Sequence, residues 1–277
     1  MTIANFNKVN LYLSSSSNYS ADHEEFIKTL TILYDISLSL EEYTNALRVA
    51  IKLDDYDKIK RLFDECPDDL IKKQLAFNSA RQKIYVPDLS EEETKIISNS
   101  YLSPYYLDLA KDLNVYDPKK PEEVFKAHLE EKNKENVTES HTKLFNIYTN
   151  AFVNAGLQRD TLMIDDPEAD EKKTPYILEL KEEGHQVAAI ASIGLIHSWN
   201  PECINDHLYQ YFENEGDFVA AGACLGIGLS AAGTNDENDI SYALLEDPAR
   251  NRSNIVKSCA ILGLGFAYAG RSREDIQ

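Results

Sequence analysis

Glycine is missing from the first 155 residues of this 277-residue chain. Tight hairpin turns need positive φ, which glycine supplies at least strain, so the gap argues against a β-rich first part and for helices. Positive charge is also scarce: 28 Lys+Arg stand against 47 Asp+Glu, a formal charge of −19. Such a surface repels phosphate, which argues against nucleic acids and anionic membranes as partners and favours basic proteins. No apolar run approaches the ~20 residues that a membrane span needs. The first 26 residues lack the basic start and continuous apolar core of a secretory signal.

The signatures of catalysis are sparse as well. Cys66, Cys203, Cys224 and Cys259 are far apart, with no CxxC pair, and read as buried reduced thiols of a cytoplasmic or nuclear chain. No glycine precedes a lysine, so a Walker A loop is absent, and no HExxH pair occurs. His128, His141, His197 and His207 read as helix-surface or packing residues. Gly226-Ile227-Gly228 begins like a dinucleotide fingerprint, but its next glycine falls five residues on and no strand precedes it. Ser230 sits in a near-match to a nucleophile elbow whose last glycine, Gly233, is one place late. A small hydrolase using Ser230 or Cys66 is the alternative of a different class. No catalytic residue, cofactor or metal ligand is assigned.

What the chain does contain is helical periodicity. Phe26, Leu30, Leu33 and Ile36 share one stripe of the segment 24–36, and Tyr43, Leu47, Ala50 and Ile51 share one of 41–53. Further helices are predicted over 57–65, 68–82, 90–98, 104–113, 121–131 and 140–156, with Ser90 and Glu93 at capping-box spacing. Pro67, Pro87, Pro118 and Pro121 mark corners between them. The expected organisation is a disordered tail over 1–23, a helical array over 24–157, a charged linker over 158–175 and a repeated region over 176–277. The linker rests on the charge run Asp165–Lys173, and Asp236, Glu237 and Asp239 read as a solvated turn.

The repeat shows in three segments: QVAAIASIGLIHSWN from Gln186, FVAAGACLGIGLSAAGTN from Phe218 and IVKSCAILGLGFAYAGRS from Ile255. Gly226, Gly228 and Gly233 align with Gly263, Gly265 and Gly270 at a period of 37 residues, and Gly194 lies 32 before Gly226. That period belongs to helical solenoids. Each unit reads as a small-residue inner helix, a turn ending in glycine and a more polar outer helix, such as 204–213 or 239–245. A glycine inside a helix loses up to about 1 kcal/mol against alanine, so close approach of neighbouring inner helices must offset the loss at Gly222, Gly226, Gly228, Gly263 and Gly265. Gly233 and Gly270 instead fit left-handed helix stops. The lone Trp199 is expected at a junction between repeats.

The run Ala260-Ile-Leu-Gly-Leu-Gly-Phe-Ala-Tyr-Ala-Gly270-Arg-Ser-Arg-Glu-Asp275 closely resembles the inner helix of the proteasome/cyclosome (PC) repeat family. The stretches 46–50, 73–77, 107–113, 121–130 and 151–156 resemble, in the same order, segments of the smaller of the two PC-repeat subunits in the base of the 26S proteasome regulatory particle. Departures cluster over 158–183. The resemblance implies an all-α fold, a helical N-terminal array followed by an α-solenoid that forms part of a toroid. It implies a non-catalytic scaffold that docks proteasomal ATPase subunits, other base subunits, a deubiquitinase, and ubiquitin or ubiquitin-like shuttle proteins. No ubiquitin-contacting residue carries over, because the family's acidic outer helices belong to later repeats. The largest cyclosome subunit is the alternative scaffold. Family members run several times longer, so the chain is expected to be a fragment whose uncapped apolar face promotes aggregation or dependence on a partner.

Overall fold

The computed structural model describes residues 21–124, 139–163, 176–235, 239–271 and 276. Every regular element among them is helical. The chain divides into two compact units, one up to Asn78 and one from Ser79 onward.

The first unit holds α1 (Ala21–Ser39), α2 (Tyr43–Leu53) and α3 (Tyr56–Glu65), and α4 (Asp69–Arg81) carries the chain past the division. Helix α1 buries Leu30, Tyr34 and Ser37, and α2 buries Tyr43, Ala46, Leu47 and Ala50. These are the i, i+4, i+7 positions of one face on each helix. Helix α3 adds Ile59, Leu62 and Phe63. Polar atoms inside this core are satisfied: the Tyr34 hydroxyl donates to the Lys58 carbonyl at 2.9 Å and the Tyr43 hydroxyl to that of Glu65 at 3.3 Å. Burial pushes the Tyr34 phenol up to about 12. Asp55 caps α3 by accepting from the Lys58 backbone N–H at 3.0 Å, and hydrogen bonds from Lys58 hold its carboxyl below the usual range.

Lack of glycine does not deprive this part of left-handed turns. Glu41, Asp54, Lys83, Asp88, Asn99 and Asn114 all take φ between 53° and 61°. At five of them the next residue's N–H reaches back five positions: Glu42 to Ser37, Asp55 to Ala50, Ile84 to Ser79, Ser100 to Lys95 and Val115 to Ala110. This is the Schellman stop, made with Asp, Asn, Lys and Glu in glycine's usual place. It explains why α2 starts at Tyr43 and not at Glu41, which terminates α1.

The second unit continues with α5 (Glu91–Ile97), α6 (Leu102–Asp112), α7 (Pro121–Val124), α8 (Glu139–Val153) and α9 (Tyr176–Glu179). Ser90 and Glu93 close the capping box on α5. The tail expected over 1–23 lies outside the described residues up to residue 20, and α1 begins at Ala21. Of the helix expected over 121–131 only Pro121–Val124 is described, and His128 is not. Of the linker expected over 158–175, residues 158–163 form a turn fastened to α8: the Asp160 carboxylate accepts from Asn150 and from the N–H groups of Leu162 and Met163. Asp165–Lys173, Asp236 and Glu237 are outside the described residues.

The three glycine-rich segments form α10 (Glu183–Ile196), α12 (Asp217–Ala231) and α14 (Asn254–Ala267). Helix α12 packs between the other two, and α8 covers α10 on its other side. Ten residues of α12 are buried, from Ala220 to Ala231, which leaves it without a polar face. Ile190, Ile193, Ile204, Leu208, Ile227, Leu245 and Val256 belong to the core around these helices. The outer helices differ from expectation. Residues 204–213 form a π turn (Ile204–Leu208) running into the short α11 (Tyr209–Phe212). Helix α13 spans Ile240–Asn251, continuing through a buried Pro248 that supplies no N–H to the helix.

Removing the strain at one non-glycine stop tests this account of the helix ends. Glu41→Gly is expected to raise the unfolding free energy by about 0.5–1 kcal/mol, the left-handed penalty less glycine's extra backbone entropy. Urea denaturation followed by circular dichroism measures it; no gain would show that Glu41 bears no such strain.

Candidate interaction site

The inner helices meet backbone to backbone. A Cβ on Gly194 would overlap the carbonyl and Cα of Gly226, and one on Gly228 would overlap those of Gly263. A Cβ on Gly222 would lie 2.9 Å from the Val187 carbonyl oxygen, and one on Gly263 2.5 Å from that of Cys224. On Gly226 it would meet Leu208 at 3.1 Å and the Ile190 carbonyl at 3.3 Å. Val187, Ile190 and Gly194 climb α10 in the order in which Gly222 and Gly226 climb α12, so the two helices run side by side in the same direction.

The Gly-x-Gly spacing has a geometric reason. Residues two apart are separated by about 200° around a helix, so Gly226 and Gly228 lie on opposite sides of α12. Gly226 meets α10 and Gly228 meets α14. In α14, Gly263 takes the side facing α12. Gly265 departs from the expectation that it nests two helices: no described atom lies within 4 Å of its Cβ position.

Gly233 and Gly270 take φ of +86° and +81°, as helix stops do. Gly156 joins them at +74°. Trp199, at φ 64°, is unusual, because a bulky side chain strains this conformation. Its ring occupies a slot that two glycines leave free: Cβ atoms would fall 3.2 Å from it at Gly156 and 3.5 Å at Gly233. Tyr106 from α6 meets the ring edge-on at 5.3 Å between centroids. The lone tryptophan therefore packs where the ends of α8, α10 and α12 converge.

These helix ends are also tied together by hydrogen bonds. Gly156 and Gln158 donate backbone N–H groups to Leu195 and Ile196 at 3.2 and 3.0 Å. Asn99 donates its side chain to the Gly233 carbonyl at 2.9 Å. Asn235 donates its backbone N–H to Ser98 and its side chain to Ile97, both at 2.8 Å. The Arg271 guanidinium donates to the Thr234 carbonyl. Around this clamp lies a cleft of about 750 Å³ walled by Ser98, Ser103, Gln158, Trp199, Glu202 and Asn235. Gly156, Asn99 and Asn235 were not singled out in the sequence; Gly156 alone carried a signal, as the first glycine of the chain.

The chemistry here is that of packing. All four cysteines are buried and unpaired, and burial pushes the thiols of Cys203 and Cys224 up to about 12. A thiol so disposed is protonated and out of reach at neutral pH. Ser230 is fully buried and donates its hydroxyl to the Ile227 carbonyl at 3.0 Å. Among the described residues no group of three or more His, Cys, Asp or Glu is placed to hold a metal, and no helix is long and apolar enough to cross a membrane. His197, 4% exposed, stacks on His207 from the π turn at 4.7 Å between centroids. Burial first, and His207 second, push its imidazole down to about 4.

Two predictions follow from this geometry. Gly194→Ala and Gly228→Ala force backbone against backbone and are expected to cost the upper end of about 1–3 kcal/mol, whereas Gly184→Ala, with nothing within 4 Å, gains up to about 1 kcal/mol. Denaturant unfolding separates these, and a tolerated Gly228→Ala would contradict the close approach. Between its ordinary value of 6.5 and about 4, His197 takes up a proton when unfolded but not when folded. Its stability contribution is therefore complete above pH 6.5 and falls by about 3 kcal/mol as pH drops to 4. His197→Leu should flatten that part of the stability–pH profile; an unchanged profile would assign the acid sensitivity elsewhere.

Comparison with known proteins bears on identity. A family model described as the RPN1 N-terminal domain matches residues 1–130. The 26S proteasome regulatory subunit rpn1 of Schizosaccharomyces pombe is 36% identical over 98% of this chain and 30% of its own length. The rpn-1 subunit of Neurospora crassa is 31% identical over 98% of this chain and 31% of its own, and the 26S proteasome non-ATPase regulatory subunit 2 of Dictyostelium discoideum 33% over 98% and 30%. The chain thus spans about 30% of the length of these relatives. Residues 1–130 match the RPN1 N-terminal domain model, and nearly the whole chain is similar in sequence to part of these 26S proteasome regulatory subunits.

Proposed function

We propose that the chain is a non-catalytic scaffold of the proteasome base, supporting ATP-dependent degradation of ubiquitinated proteins. On this reading residues 24–157 are a helical N-terminal domain, 158–175 a connecting stretch, and 176–277 the first PC repeats, with Gly194, Gly226, Gly228, Gly233, Gly263, Gly265 and Gly270 as their structural glycines. The partners are proteasomal ATPase subunits and other base subunits, with ubiquitin and ubiquitin-like shuttle proteins reached through the same assembly. The place of work is the cytoplasm and nucleus.

The observation that carries this reading is the agreement between two independent features. The relatives that match the chain almost end to end are named as regulatory or non-ATPase subunits. Gly226 and Gly228, which could have cradled a phosphate, are spent with Gly194, Gly222 and Gly263 on holding neighbouring helices at backbone contact. Closely stacked repeats build long surfaces for docking, which suits a scaffold. The acidic balance favours encounter with basic partner surfaces more than it deepens affinity.

The test is recovery of the chain, tagged at its own locus, from native extract. Mass spectrometry of the purified material is expected to find the base ATPases in near-equal amount, and native gels to place the tag in 26S particles. Absence from proteasomes, with the chain intact, would remove the proposal.

A further inference from the structure

The cleft of about 750 Å³ beside Trp199 has the size of a ligand pocket, roughly 300–1,000 Å³. Its walls are drawn from residues 94–240, all within the second unit. Their hydrogen-bonding groups are lopsided. Ser98 and Ser100 both donate their hydroxyls to the Lys95 carbonyl, at 3.3 and 3.2 Å, and Thr234 donates to that of Ala231 at 2.8 Å. A hydroxyl whose one proton is given presents lone pairs alone. Asn235, 1% exposed, donates Nδ2 to the Ile97 carbonyl, and among the described residues nothing donates to its Oδ1. A buried acceptor left bare is costly unless a group from outside the chain meets it.

We propose that this cleft binds an arginine side chain presented by a peptide segment of a partner protein. A guanidinium carries five N–H donors in one plane and no acceptor, which is the complement of a wall of lone pairs. Charge selects it over a neutral amide. Glu202 lines the cleft, is exposed and joins no ion pair among the described residues. The other charges in the wall cancel, since Lys111 reaches Asp108 at 3.4 Å and lies over the Tyr116 ring at 5.4 Å. Trp199 adds an aromatic wall, of the ring type that attracts cations best.

The cleft's own donors do not answer these acceptors. Gln158 gives its side-chain N–H to Ser103 Oγ, and Lys111 is held by Asp108. An anion is excluded by the same lone pairs. Free arginine fits less well than a peptide-borne one, because its α-carboxylate would enter an acceptor-lined cleft on a chain of charge −19. The volume leaves room for backbone on either side of the side chain. The inference stands on the wall of the cleft and not on a role in the proteasome, so either can fail without the other.

The chain has one tryptophan, so the indole N–H signal of Trp199 in a nitrogen–proton correlation spectrum reports on the cleft by itself. Titrating the 277-residue chain with acetyl-Gly-Arg-Gly-amide is expected to shift that signal to saturation. The lysine counterpart, equal in charge but without the planar fork, should bind at least about fivefold more weakly. The citrulline counterpart, which keeps the shape and loses the charge, should not saturate. Glu202→Gln is expected to weaken arginine binding about threefold or more, and Lys111→Met, which releases the Asp108 carboxylate, to strengthen it about twofold or more. Both side chains are exposed, so far-ultraviolet circular dichroism should stay unchanged in each variant. Failure of the arginine peptide to saturate the signal, equal binding of the lysine or citrulline peptide, or an affinity that neither variant changes overturns the proposal.

Discussion

Backbone contact between parallel helices is the constraint on which this structure depends. Gly194 on Gly226 and Gly228 on Gly263 admit no side-chain atom. The consequences reach outward from there. Glycines placed mid-helix weaken α12 and α14 as isolated helices, so these helices owe their stability to each other and to the layer of Ile, Leu and Val around them. Because the contacts lie on opposite sides of α12, a single helix must satisfy two neighbours in register. That demand dictates the Gly-x-Gly spacing.

The ends of the inner helices are handled differently from their middles. There the side chains are large and the hydrogen bonds specific: Trp199 fills the space above Gly156 and Gly233, and Asn99 and Asn235 exchange bonds with the turns opposite. Trp199 holds a left-handed conformation that a bulky residue adopts only when its surroundings compensate about 1–3 kcal/mol of strain. The compensation here is burial of the ring between two glycines and against Tyr106. Small residues thus set the spacing of the helices, and a large one locks their ends.

The presence and type of the helices were legible in the sequence, because a 3.6-residue apolar period survives any tertiary context. Leu30, and Leu47 with Ala50, mark buried faces by spacing alone, whereas Tyr34 and Ser37, beside the expected stripe of Phe26, Leu33 and Ile36, are buried more deeply than those three. The 37-residue recurrence of glycines likewise exposed the inner helices. Helix ends were less legible. Glu41, Lys83 and Asn99 stop helices in a conformation expected of glycine, and nothing in their identity announces it. The π turn at 204–208 was hidden for a similar reason: Leu208 must reach Gly226, and that demand comes from a contact 18 residues away in sequence. The clamp beside Trp199 uses Asn99 and Asn235, which look like ordinary turn residues until their partners are seen. Gly265 shows the opposite limit, since its sequence matches Gly228 while its surroundings do not.

The side-chain-free contact between inner helices has a mechanical consequence. Where helices touch through Leu or Met, small displacements are absorbed as side chains change rotamer. Glycine has no rotamers, and folding such a contact sacrifices no side-chain freedom. At Gly194 against Gly226, and at Gly228 against Gly263, a shift of one helix therefore has nothing soft to deform before it meets the next. The three behave as a stiff rod stack, in which strain applied at one edge is carried to the far edge with little loss.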